Sequence, residues 1–266
     1  MNSLYVWRQY AAQSLKSQME YRKSFLLQML GQLLIIGSEF AGVWSLFHRF
    51  GNIKGWSLGE ASVFYGMISI GFAMSQMISG GFERAGQLIR TGELDRILLR
   101  PRSTELQLFG FEFSLRRTGR LIVGTAVLIY GLSELQWNPS LLKIMILLWA
   151  VSGSMALFCG LMIIQAGISI WTIESLELMN TLTYGGQETG RYPVSIYSAP
   201  FRYFFTYIVP LAAVNYYPVL IIINKADPGG SAASTGWFSP AAGFLFLAGA
   251  LLFWRYALKF YRSAGG

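Results

Sequence analysis

The residues of this chain that could do chemistry are few, and they do not assemble into a reaction centre. One cysteine, Cys159, and one histidine, His48, occur among 266 residues. A metal set of Cys and His, a His-based triad or an intrachain disulfide cannot be built from them. The sequence also lacks G-x-x-x-x-G-K-[ST], G-x-S-x-G, H-E-x-x-H and C-x-x-C, the spacings that cradle phosphate, activate serine or hold zinc. The chain is therefore expected to have no catalytic residue, metal ligand or cofactor of its own. What remains is charge in unusual places. Residues 92–103, GELDRILLRPRS, follow FERAGQLIRT (82–91) and complete the longest charged interval in the protein. Glu39 falls inside a long apolar run, where an ionised group is costly and faces protein or water. Gln28 and Gln32 stand on the same helix and extend a polar stripe. Two readings of Glu39 follow: part of a polar path or proton-sensitive site, or the partner of a polar group on a neighbouring helix. Gln165 and Glu174, near the end of a later apolar run, are explained by the membrane interface.

The local grammar of 82–103 predicts a stiff element. Gly92 can take positive φ and stop the helix ending near Arg90. Glu93 and Asp95 then occupy the first turn of a new helix, where acids meet the positive end of its dipole. Leu94, Ile97 and Leu98 form an apolar stripe, with Arg96 and Arg100 around it. Pro101 disfavours helix at Arg100 and ends the run. The expected result is a short amphipathic peg, residues 93–100, between two apolar segments.

The elements that position these residues follow from composition. The chain is 53% hydrophobic and 13% charged, against about 25% charge in soluble domains. Long apolar runs without strict alternation indicate an all-α polytopic membrane protein. One membrane domain, 1–266, is expected. Residues 4–23 read as an interfacial amphipathic helix carrying Trp7 and Tyr10. Six spans are expected at 25–47, 61–81, 109–132, 141–170, 201–224 and 238–256, with a charged loop at 82–105. Pro210 and Pro218 should kink or split the fifth. Residues 171–200, with Glu177, Glu188 and Arg191, read as a polar interval between spans. Ser152, Ala156 and Gly160 offer a small-residue face for close packing within or between chains. The N-terminus lacks the short basic–apolar–small pattern of a cleavable signal.

Most of the 21 Lys and Arg fall in alternate loops, which places both termini in the cytoplasm. That distribution assigns the net charge of +8 to topology and not to nucleic acid. Trp56, Trp137 and Trp237 should mark the outer ends of three span pairs.

The ordered segments LIRTGELDRILLRPRSTELQLFG (88–110), RYPVSIY (191–197), IVPLAAVNYYP (208–218) and YRSAGG (261–266) resemble landmarks of ABC exporter permeases of the type-2 class. The first looks like that subfamily's R-x-G-x-L-D-x-x-L-L-R-P segment. The resemblance implies a permease without ATPase activity, paired with a second permease chain that is identical or related. It also implies a separate nucleotide-binding subunit carrying ATP and Mg. That subunit would dock on a cytoplasmic coupling helix between spans two and three, through Arg90, Glu93, Leu94, Asp95, Arg96, Ile97, Leu98 and Arg100. Glu39, Gln32 and Gln28 are the candidate residues of a translocation path, in a bacterial inner membrane. A membrane anchor or regulatory subunit without a path, and a secondary transporter using Glu39, are the competing readings.

Overall fold

A computed structural model describes residues 22–263 apart from 113, 173–175 and 233, together with residues 16 and 20. Most of the expected lead-in helix, Glu174 and the last three residues of YRSAGG lie outside the described residues, as does the side chain of Glu177.

Among the described residues every regular element is helical. Apolar runs free of breakers give α1 (Arg22–Phe50) and α2 (Leu58–Ile78). Ser57 and Glu60 start α2 with a reciprocal capping box, satisfying two donors that a helix start leaves unpaired. Four short helices follow: α3 (Gly80–Glu83), α4 (Ala85–Arg90), α5 (Glu93–Leu98) and α6 (Thr104–Phe111). They form the peg end of the bundle. A 3-10 turn, Leu115–Arg117, leads into α7 (Thr118–Glu134), and α8 (Leu141–Ile168) returns. Next come α9 (Leu176–Gly190) and α10 (Ala199–Tyr203), which runs into a π-helical segment, Phe204–Ile208. A second π segment, Ala212–Tyr216, leads into α11 (Tyr217–Ile222); α12 (Thr235–Phe238) and α13 (Ala241–Leu258) close the chain.

Among the described residues four helical units, α1, α2, α8 and α12–α13, are long and apolar enough to cross a membrane. The pair Ala199–Ile208 and Ala212–Ile222 counts as a fifth only if its 82° bend is one broken span. The expected third span, 109–132, is divided: Glu112 is extended, and α7 starts only at Thr118. With 17 residues, α7 is about 25 Å long.

The expected fifth span, 201–224, does not run from end to end of the bundle. Both of its flanks meet the loop before α2. On one side the Trp56 indole donates to the Ser195 hydroxyl at 3.2 Å and Lys54 donates to the Ile196 carbonyl at 2.6 Å. On the other, Lys225 binds Glu60 at 2.7 Å and the Gly55 carbonyl at 2.9 Å. Between these anchors the chain dips inward to Phe205, Val209 and Leu211, which join the core around Phe72 and Leu161. Pro210 lies at the bend, whereas Pro218 is absorbed where π helix becomes α11.

The traverse belongs to the interval expected to be a polar loop. The Tyr184 hydroxyl accepts from Gln76 near the peg end of α2 at 3.3 Å. Gly190 lies against Ile68 in mid-helix, and Ser195 reaches Trp56 at the opposite end. The tryptophans expected as a belt do gather at that end, but pack inward: Trp56 is buried, with Trp137 and Trp237 around the same cluster.

The small-residue face of α8 keeps Gly160 but runs through glycines seven apart and not through Ser152. Gly153, Gly160 and Gly167, seven apart, meet α13 at Pro240, Phe246 and Phe253, while the Ser152 hydroxyl bonds back to the Trp149 carbonyl. A Cβ on Gly243 would lie 2.1 Å from the Gly153 carbonyl oxygen. Gly243→Val should therefore push α13 off α8 and destabilise the protein by about 1–3 kcal/mol or more. Thermal unfolding in mild detergent reads this directly, and an unchanged midpoint would contradict the close crossing.

Candidate functional site

The peg is a helical hairpin built into the body of the protein. Gly92 has φ 71°, a left-handed conformation that glycine adopts without steric cost, and it turns α4 into α5. Leu88, Leu94 and Ile97 then join Phe82, Leu108 and Trp254 in one core cluster. Gln107 secures the far side, donating from Nε2 to the carbonyls of Ile97 at 3.0 Å and Arg102 at 3.2 Å. The predicted stripe is thus divided. Leu94 is 0% and Ile97 3% exposed, whereas Leu98 is 38% and Leu99 85% exposed. Arg90, Glu93, Arg96 and Arg100 of the same hairpin segment are exposed as well, so its outward surface combines two leucines with mixed charge. Leu94 and Ile97 hold the hairpin from behind.

A cavity of about 570 Å³ opens beside the peg. Gln28 and Gln32 of α1 line one side, facing Gln76, Ser114 and two ion pairs. Arg84 pairs with Glu112 at 2.9 Å and Arg117 with Glu83 at 3.2 Å. The hydrogen bond to Glu112 holds the Arg84 guanidinium above its usual pKa, and the Tyr184 hydroxyl also donates to Glu83 at 3.0 Å. Charge is thus balanced within the walls. The side-chain oxygens of Gln32 and Gln76 are buried without a hydrogen-bond partner, a cost that the surrounding packing offsets.

Glu39 is not part of that lining. It lies seven residues beyond Gln32, about 10 Å along the helix. There it accepts from Arg191 Nη2 at 2.5 Å, while Arg191 Nη1 binds Glu188 at 2.6 Å. The Arg191 guanidinium also stands 4.7 Å over the Tyr65 ring. One turn away, Arg120 donates to Gln187 at 2.8 Å and lies 4.9 Å over Phe72. Arg191 is 4% and Arg120 8% exposed. The sequence puts Arg191 in a polar interval and Arg120 within the expected span 109–132, and neither placement reveals the polar seam they form along α9. One signal was available for Arg120: the apolar body of its helix begins at the next residue. Asn215 joins the seam from the bent pair, donating to the Gly190 carbonyl at 2.6 Å.

A family model described as ABC-2 family transporter protein matches residues 33–265. The match takes in the peg, the polar seam and the bent pair, and stops short of Gln28 and Gln32. Neither a curated protein nor a solved structure matches the chain.

Proposed function

This chain belongs to the ABC-2 family of transporter proteins, and from that premise we propose that it is the membrane permease subunit of an ATP-driven exporter. Family membership places the chain in a membrane and in the context of an ATPase partner. In this reading ATP and Mg are held by that separate subunit, since the chain lacks a phosphate-binding loop. The observation that carries the reading is the hairpin α4–α5. It presents Leu98 and Leu99 outward together with Arg90, Glu93, Arg96 and Arg100 while its back is fused to the core. A load applied there passes into α2, α8 and α13 with little local yielding, because close-packed interiors transmit strain.

A second permease chain, identical or related, completes the path. The cavity bounded by Gln28 and Gln32 is its inner mouth, and its glutamines and paired charges suit a polar cargo over a purely apolar one. Glu39 and Arg191 sit above that mouth as a fixed barrier. The peg faces the cytoplasm of a bacterial cell and both termini lie on that side. Six crossings follow: α1, α2, α7, α8, the stretch from α9 to Ser195, and α12–α13, with the bent pair entering from outside and returning. Lys and Arg remain concentrated on the inner side in this arrangement, as topology demands.

Purification in mild detergent tests the function: an ATPase subunit should remain bound, and a permease that retains none contradicts it. Topology is tested with an impermeant thiol reagent on sealed cells, after Cys159→Ala. Gln136→Cys and Ser198→Cys should react from outside and Thr91→Cys should not. A silent Ser198→Cys would return residues 201–224 to the role of a simple crossing.

A further inference from the structure

Two sequence landmarks far apart in the chain meet on one carboxylate. Asp95 Oδ1 accepts from the Tyr261 hydroxyl at 2.8 Å and Oδ2 accepts from the Ser263 hydroxyl at 2.6 Å. Asp95 belongs to the peg, and Tyr261 and Ser263 to the tail that leaves α13. A second tie lies alongside: Arg255, in the last turn of α13, binds Glu105 of α6 at 2.6 Å. The Tyr261 ring packs against the cluster containing Leu94, Ile97 and Trp254. Burial and the neighbouring carboxylate raise the Tyr261 pKa to about 12, which keeps its proton available for donation at physiological pH. Both Asp95 oxygens are thus engaged by the chain's own tail, whereas Leu98 and Leu99 are turned outward.

We propose that Asp95, Tyr261 and Ser263 form a latch that ties the peg to the last membrane helix and passes movement of α5 to α13. The inference rests on the reading of α4–α5 as the docking element for an ATPase, and it makes Asp95 a positioning residue, not a docking contact. The physical route is short. A shift of α5 pulls on the tail, and the tail continues α13 without an intervening loop. The α8–α13 crossing at Gly153 and Gly243 leaves no gap in which the shift could be absorbed. Without the latch, α5 would act on α13 only through the apolar packing of Leu94 and Ile97 in the cluster that contains Trp254, which resists a pull less than a hydrogen bond to a charged group does.

The test uses the intact complex with its co-purified ATPase subunit, Cys159→Ala throughout, and a bimane fluorophore on Leu252→Cys. Leu252 is an exposed position of α13, so the label reports movement of that helix. Trapping with ATP and vanadate should shift the emission of the parent. Tyr261→Phe removes one oxygen atom, and Asp95→Asn removes the charge and leaves one acceptor oxygen where there were two. Each should cut the shift roughly tenfold, the scale of one hydrogen bond to a charged group, while the ATPase subunit stays bound and hydrolysis continues. The effects of the two changes should fall short of adding in the double variant, because both act on the Tyr261–Asp95 contact. A full shift in Tyr261→Phe and Asp95→Asn overturns the latch, as does a parent that keeps its ATPase subunit yet shows no shift. Release of the ATPase subunit by Asp95→Asn overturns it too, making Asp95 a docking contact. A parent that retains no ATPase subunit at all contradicts the docking reading itself.

Discussion

Arg191→Met should destabilise the membrane domain by about 3 kcal/mol, the lower end of what breaking a buried ion pair costs. Methionine keeps an apolar stem in the space but removes the guanidinium that Glu39 and Glu188 share. Glu188 is half exposed and can turn to water. Glu39, inside α1, has fewer options and carries most of the loss. The cation over the Tyr65 ring disappears as well. Glu39→Gln alone should be mild, because Arg191 retains Glu188. Combining Glu39→Gln with Arg191→Met should recover part of the stability, because it removes the charge left without a partner. Thermal unfolding of the four proteins in one detergent gives the coupling energy. Parent-like melting of Arg191→Met would mean that the pair holds nothing together. Altered transport by Glu39→Gln with stability intact would give Glu39 a role in the path beyond that of a partner.

The second large effect separates two leucines four residues apart. Leu94→Asp places a carboxylate among Phe82, Leu88, Leu108 and Trp254, where an unpaired charge costs several kcal/mol, on the order of 3 or more. The hairpin should come away from the core, and the protein should melt earlier or aggregate. Leu98→Asp exposes its charge to water and should leave melting within about 0.5 kcal/mol of the parent. The peg therefore cannot be treated as an appendage whose apolar positions are all free for a partner. Equal melting of Leu94→Asp and Leu98→Asp would contradict the orientation of the hairpin.

That difference shows what was legible in the sequence. Gly92, the acidic turn and Pro101 determine a helix and its ends by local rules, and the structure has α5 at Glu93–Leu98. Its orientation is set by Trp254 and Leu108, distant residues that no local pattern reveals, and a stripe at spacing three and four contains inward and outward positions alike. α1, α2, α8 and α13 were legible because their apolar runs are long. The traverse from α9 was hidden by its own chemistry: Gln187 and Arg191 read as loop, yet Gln187 meets Arg120, and Arg191 meets Glu39 and Tyr65, from other helices. Residues 201–224 pose the opposite problem, since an apolar run reads as a crossing whether or not it turns back, and the 82° bend fits a broken span as well as a return. Only the anchors of Ser195 and Lys225 on the same loop reveal the return.

In the function proposed above, the outward face of the peg carries the ATPase subunit. Leu98→Asp with Leu99→Asp tests it most directly, in a tagged permease purified in mild detergent. The predicted result is loss of the bound ATPase subunit with the permease melting as the parent does, because two charges replace the apolar centre of the contact and leave the core untouched. Full retention of the ATPase subunit by that double variant would contradict the claim.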